Sequence, residues 1–270
     1  MNHFTLPDGN VQISFSGGRT SAYMLHSILE ANGGLPDRCQ VVFANTGREM
    51  PATLDFVQEV SDRWSVPITW VEDCRRRSAV GAHSNFAIVT RESASQDGEP
   101  FADVIQRKKM LPNVGKRFCT TELKVLPAKR FLRSLGWHGW TSALGIRADE
   151  SRRVKPSRDG LWSNWHPLVH AGVRKPDVLN FWSRQPFDLR LENTSNCDGC
   201  FLKSEANRAE MWREHPDRMS WWVEQEAKMG ATFIVDQPYQ SLGDYIGKQG
   251  EWIFNTAGAL CQADEGDCTG

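Results

Sequence analysis

The residues Val11-Gln12-Ile13-Ser14-Phe15-Ser16-Gly17-Gly18-Arg19-Thr20-Ser21 constrain the fold of this chain more than any other stretch. A short apolar run enters a Ser-Gly-Gly turn, and a helical pattern follows over residues 20–30. A strand that passes into a helix through glycines gathers backbone N–H groups around one point. The positive end of the helix dipole lies there too, so the turn suits an oxyanion such as phosphate or sulfate. Glycine permits positive φ and close approach of a ligand. Neither G-x-x-x-x-G-K-S/T nor G-x-G-x-x-G is present, so the two common glycine fingerprints do not apply.

The following residues alternate between strand and helix patterns. Residues 11–15, 41–44, 68–71 and 140–146 read as strands. Residues 20–30 read as a helix stopped by Asn32-Gly33-Gly34 with Pro36 beyond. Residues 51–64 carry Leu54, Val57, Val60 and Trp64 at helical spacing, and 127–135 reads as another helix. This alternation predicts an α/β fold, a Rossmann-like, mostly parallel sheet flanked by helices. Ligands in such sheets bind at the C-terminal strand ends, which brings residues 16–21, 45–49 and 147–153 around one crevice. Residues 75–112 are irregular and charged and read as a flap over that crevice. From about Pro186 the chain turns rich in Trp, Cys and Gly, which suggests an α/β domain over 1–185 and a helical, loop-rich, cysteine-bearing appendage over 186–270.

Bulk properties narrow the function classes. The net charge of −1 offers no general attraction to nucleic acid or to an anionic membrane. No apolar run approaches the roughly 20 residues that span a bilayer, and residues 1–8 lack a basic start followed by an apolar stretch. The seven cysteines are Cys39, Cys74, Cys119, Cys197, Cys200, Cys261 and Cys268. An odd number in a chain of this length points to a reducing cytoplasm, with cysteines as metal ligands, catalysts or core. Cys39 reads as core. Cys197-Asp198-Gly199-Cys200 is a C-x-x-C, which by itself fits a metal site or a redox pair. Arg147 and Arg152, after a strand, are candidate anion ligands because guanidinium groups bind sulfate and phosphate bidentately.

Four motifs in order resemble the phosphoadenosine-phosphosulfate (PAPS) reductase family of the PP-loop, or adenine-nucleotide α-hydrolase, superfamily. They are Ser14-Phe15-Ser16-Gly17-Gly18, the segment from Asn45-Thr46-Gly47 through Glu49 to Pro51, Arg117-Phe118-Cys119-Thr120-Thr121-Glu122-Leu123-Lys124, and Gly145-Ile146-Arg147 followed by Ser151-Arg152. The resemblance implies an adenine nucleotide held by Ser14, Ser16, Gly17, Gly18, Arg19, Thr20, Ser21, Asn45, Thr46, Gly47, Glu49, Gly145, Arg147 and Arg152. It implies Lys124 and Arg147 as catalytic residues, with the nucleotide being PAPS, APS or ATP, and Mg²⁺ accompanying ATP; Cys268, in a Gly-rich, acidic terminal stretch, is the candidate nucleophile. It also implies an iron–sulfur cluster, 4Fe-4S in type, on Cys119, Cys197 and Cys200, with zinc as the alternative; the fourth position falls to Cys268, Cys74 or Cys261 or stays open. A thiol reductant or a sulfur-donor protein is the implied partner. The sequence departs from the pattern at three places. Thr20 stands where the ATP-cleaving members carry Asp, Thr120 follows Cys119 where a second cysteine is usual, and no Glu-Cys-Gly-x-His occurs. The expected function is therefore sulfur chemistry on a sulfonucleotide. ATP-dependent sulfur transfer to tRNA or DNA, and a nucleotide-binding protein without catalysis, remain as alternatives.

Overall fold

The computed structural model describes residues 2–74, 85–157, 160–191 and 197–249. Six strands among them form one sheet in the order β4-β3-β2-β1-β5-β6. These are β1 (Val11–Phe15), β2 (Cys39–Ala44), β3 (Ile68–Asp73), β4 (Phe86–Val89), β5 (Trp140–Ala143) and β6 (Trp162–Trp165). All neighbouring pairs are parallel except β3 with the edge strand β4. The predicted α/β class and the predicted strands near 11–15, 41–44, 68–71 and 140–146 agree with this sheet. β4 and β6 have no counterpart in the sequence reading, being short and only partly buried.

Alternation in β1 assigns its two faces. Val11, Ile13 and Phe15 pack with α1 (Arg19–Asn32) and α2 (Pro51–Arg63) in the larger core, beside Leu25, Ile28, Leu54 and Val57. Gln12 and Ser14 face the other way. That second face carries a smaller core of Val42, Val71, Phe131, Leu132 and Trp140, contributed in part by α5 (Leu126–Ser134). α5 continues a helix that starts as α4 (Phe118–Thr120) and widens into a π-turn over Thr121–Val125. A π-turn inserts one residue per turn relative to an α-helix and is often found at functional sites.

Residues 85–112 are not the expected flap. They hold β4 and α3 (Glu99–Lys108), and α3 is fastened to the sheet. Arg107 pairs with the buried Asp73 at the end of β3 and lies 3.8 Å from Glu122 of the π-turn, while Lys108 reaches Glu122 at 2.7 Å. Glu72 accepts from Ser95 N at 2.7 Å and from Asn45 Nδ2 at 2.6 Å, which ties the loop before α3 to β2 and β3. Residues 75–84, also in that expectation, lie outside the described residues.

After β5 come a 3-10 turn (Ala148–Arg153), α6 (Pro167–His170), α7 (Lys175–Trp182), α8 (Glu205–Glu214), α9 (Pro216–Met229) and α10 (Tyr239–Gln249). The C-terminal part is helical as expected. The larger core runs without a break from Val11 through Trp182, Phe187, Leu189 and Leu191 to Phe201, Trp222, Phe233 and Tyr239.

Candidate functional site

The Ser-Gly-Gly turn forms the mouth between β1 and α1. Ser21 organises it: its hydroxyl accepts from Ser16 N at 3.2 Å, Ser16 Oγ at 3.0 Å and Gly18 N at 3.3 Å, and donates to Gly18 O at 2.9 Å. Gly17 has φ +80°, and a Cβ there would lie 2.7 Å from Thr53 Cγ2. The turn therefore requires glycine for both conformation and space. Gly145, in the next loop, abuts Ser21.

Beside this mouth a cavity of about 380 Å³ opens on the α5 face of the sheet, running from the C-terminal ends of β1 and β2 back to the first residues of β5 and β6. Ser14, Ser16 and Lys124 line it, together with Thr120 and Thr121 of the π-turn region. Its inner wall is Trp140 and Trp162, stacked at 5.3 Å with 12° between planes, and Lys129 lies 5.8 Å above the Trp162 ring. Gln12 and Ser142 form its floor: Trp140 Nε1 donates to Ser142 Oγ at 3.1 Å, which donates to Gln12 Oε1 at 2.8 Å. These aromatic and floor residues were not singled out from sequence. The available signal was polar Gln12 and Ser14 alternating with apolar neighbours in a central strand, where full burial would favour a continuous apolar run.

The structure divides the other predicted residues. Arg147 is buried and donates to Thr20 Oγ1 at 3.2 Å and to Asp149 at 3.1 Å. It thus braces the helix start from the opposite loop. Arg152 is exposed on the 3-10 turn and is not brought to the cavity. The Arg19 guanidinium turns away, pairing with Asp188 at 2.7 Å and donating to Leu189 O at 2.6 Å. Asn45 is a scaffold residue: it donates to Glu72 and to Ser95 O, and its Oδ1 accepts from Gly47 N. Thr46 donates to Glu49 at 3.0 Å.

Glu49 links this crevice to the C-x-x-C. Its carboxylate is 3.9 Å from Lys124 Nζ, and its backbone pairs with Cys197 in an isolated antiparallel bridge. Every part of the Cys197–Cys200 turn has a structural partner. Asp198 is fully buried and receives Arg48 and Arg218 (2.7 Å), Trp222 Nε1 (2.7 Å) and Gly199 N (2.7 Å). A Cβ at Gly199 would meet Trp222 Nε1 at 2.2 Å, and Tyr239 OH donates to Gly199 O at 2.6 Å. The two thiols share a hydrogen bond. That bond, then burial and the negative charges of Cys200, Glu49 and Asp198, hold the Cys197 thiol well above its ordinary pKa. Lys203 is buried beside them, and its Nζ has no hydrogen-bond partner among the described residues. Burial pulls its pKa down, opposed by Cys197, Cys200, Asp198 and Glu210.

Among the described residues the expected cluster ligands are not gathered, and no three His, Cys, Asp or Glu side chains form a group able to hold a metal ion. Cys197 and Cys200 are adjacent. Cys119 sits at the start of the π-turned helix, and Cys268 lies outside the described residues. The carboxylate of the C-x-x-C loop is committed to two guanidinium groups and an indole, so it adds no ligand. Cys119, Cys197 and Cys200, the described members of the expected set, do not by themselves form a cluster or zinc site. Cys39 is buried core, as expected, and Cys74 is half-buried at the end of β3.

Comparison with known proteins agrees with the four motifs. A family model described as phosphoadenosine phosphosulfate reductase domain matches residues 10–171. The uncharacterized nin region protein ORF290 of Escherichia phage lambda is 34% identical over 197 residues, which is 71% of this chain and 66% of that protein. The match therefore spans a little under two thirds of that relative's length. Among solved structures, the phosphoadenylyl-sulfate (PAPS) reductase of Candida auris in its phosphate complex is similar at 17% identity and a TM-score of 0.40. That match covers 66% of this chain and 73% of the other.

Proposed function

Since this chain belongs to the phosphoadenosine phosphosulfate reductase domain family, we propose that it binds an adenine sulfonucleotide and carries out thiol-dependent reductive chemistry on it. The observation that carries this reading is the cavity over the α5 face of the sheet, with an aromatic wall at the starts of β5 and β6 and Ser14, Ser16 and Lys124 at its polar end. The Trp140–Trp162 wall suits a purine, and the Ser16–Ser21 turn with Lys124 suits its phosphate and sulfate groups. In this reading a thiolate attacks the sulfate sulfur. The sulfur–oxygen bond to phosphate breaks, and the nucleotide phosphate leaves with the electron pair. A second thiol then attacks the S-sulfocysteine, releasing sulfite and forming a disulfide. Lys124 and the backbone N–H groups hold the anion while charge moves onto the leaving phosphate. Cys268, the expected nucleophile, lies outside the described residues.

Thr20 favours a sulfonucleotide over Mg²⁺-ATP. Its hydroxyl accepts from Arg147 where an ATP-cleaving relative would present a carboxylate to the metal. The test is calorimetric titration with adenosine 3′,5′-bisphosphate and, separately, with Mg²⁺-ATP. Binding of the bisphosphate is expected. Replacing Lys124 with Ala should weaken it about tenfold to hundredfold, the worth of one charge-assisted hydrogen bond. Preference for Mg²⁺-ATP would move the assignment to ATP-dependent sulfur transfer. Bisphosphate binding with no sulfite release from a sulfonucleotide under reducing conditions would leave a non-catalytic binding protein.

A further inference from the structure

We propose that Cys197 and Cys200 are a reversible dithiol–disulfide couple that exchanges with a thiol or disulfide partner, rather than ligands of a metal centre. Three observations lead there. The thiols are in hydrogen-bond contact across a two-residue turn, and neither cysteine is fully buried. The turn is held from outside by Arg48, Arg218, Trp222 and Tyr239, none of which uses a cysteine sulfur, so the sulfurs can change state while the loop stays in place. Lys203 places a buried Nζ without a hydrogen-bond partner beside the pair, where its positive charge favours a thiolate during exchange.

The chemistry closes without a metal. One thiol of the pair loses its proton and attacks a partner disulfide, forming a mixed disulfide and releasing one partner thiolate. The second thiol loses its proton and attacks the mixed bond. The Cys197–Cys200 bond forms and the other partner sulfur leaves. Two thiols are oxidised, one disulfide is reduced, and the two protons end on the released thiols. A dithiol reductant runs the same steps backwards.

The test uses the full chain, purified anaerobically, equilibrated with glutathione–glutathione disulfide mixtures, alkylated and mapped by peptide mass. The expected result is a Cys197–Cys200 linked peptide that appears with oxidation and disappears with dithiothreitol. Cys200→Ser should instead hold glutathione on Cys197. Lys203→Met should slow formation of the linked peptide about tenfold at fixed poise, because the cation that helps the attacking thiol lose its proton is gone. A purely structural lysine would leave that rate unchanged. Separate alkylation of both cysteines at every poise would overturn the proposal, as would iron or zinc bound at one or more per chain and shielding both. The wild-type map decides the question even if a variant misfolds. No nucleotide enters the assay, so its failure leaves the sulfonucleotide reading standing.

Discussion

Single residues in this protein carry more than their own contacts. Asp198 joins the C-x-x-C loop, the β2–α2 loop through Arg48 and α9 through Arg218 and Trp222, all while fully buried. Removing one partner of a buried charged group leaves the others uncompensated. Asp198→Asn is therefore expected to lower stability by about 3–5 kcal/mol, read as a drop in urea midpoint. An effect under ~1 kcal/mol would show that the Arg48 and Arg218 charges are solvated in another way. His26 makes a pH prediction. Its ring packs 5.0 Å from Trp64 and 4.9 Å from Phe181, and burial lowers its pKa, partly opposed by Glu30. His166 is lowered too, by burial and by His170. A lowered histidine takes its proton later in the folded state than in the unfolded one. Stability should therefore hold above the ordinary value near 6.5 and fall as pH drops through it. Thermal melts from about pH 7.5 down to about 5.5 should show the decline, and His26→Leu should flatten part of it.

At the level of elements, the π-turn decides which side chains of one helix reach the cavity. Thr120, Thr121, Lys124 and Val125 all line it, although straight α-helical spacing would spread them over more of the circumference. α5 is fixed to the sheet by Phe131 and Leu132, and Glu122 is fixed to α3 by Lys108. Deleting Thr121 would restore α-helical register and turn the Phe118–Thr120 segment by about 100° against α5. The expected outcome is unchanged helix content by circular dichroism with nucleotide binding weakened about tenfold, the loss of roughly one hydrogen bond. Unchanged binding would mean that the cavity does not depend on this register. The helix itself was legible in the sequence from residues 127–135. Its π-turned start was not, because a one-residue insertion leaves no mark in hydrophobic period. α3 was missed although Phe101, Val104 and Ile105 stand at helical spacing and bury in the larger core, because the charged residues around them make the segment look like a solvated loop.

Across the whole molecule, one core joins the first half of the chain to the last. Phe56 and Trp64 of the α2 region pack on Trp182 and Phe187, and Phe101 packs on Trp221 and Trp222 of α9. A fragment of residues 1–185 is expected to expose this apolar surface and to aggregate or melt without cooperativity. A soluble fragment with a sharp transition would instead make the region near 186 a true domain boundary. The sequence alone determined the α/β class, the strand–glycine–helix turn and the family, because each is written in local spacing: strand and helix periods, Gly17-Gly18, and motifs a few residues long. Tertiary structure decided which of the motif residues meet. Ser14, Ser16 and Lys124 come to one cavity, while Arg19 is drawn to Asp188, Asn45 to Glu72 and Arg152 to solvent. It also decided that Cys197 and Cys200 stand together with Lys203, and that no third described ligand joins them. The physical reason is one of range. Backbone periodicity and turn chemistry act over a few residues, but the partner of a charged side chain is chosen by contacts more than a hundred positions away, as Arg48 with Asp198 and Arg147 with Thr20 make plain.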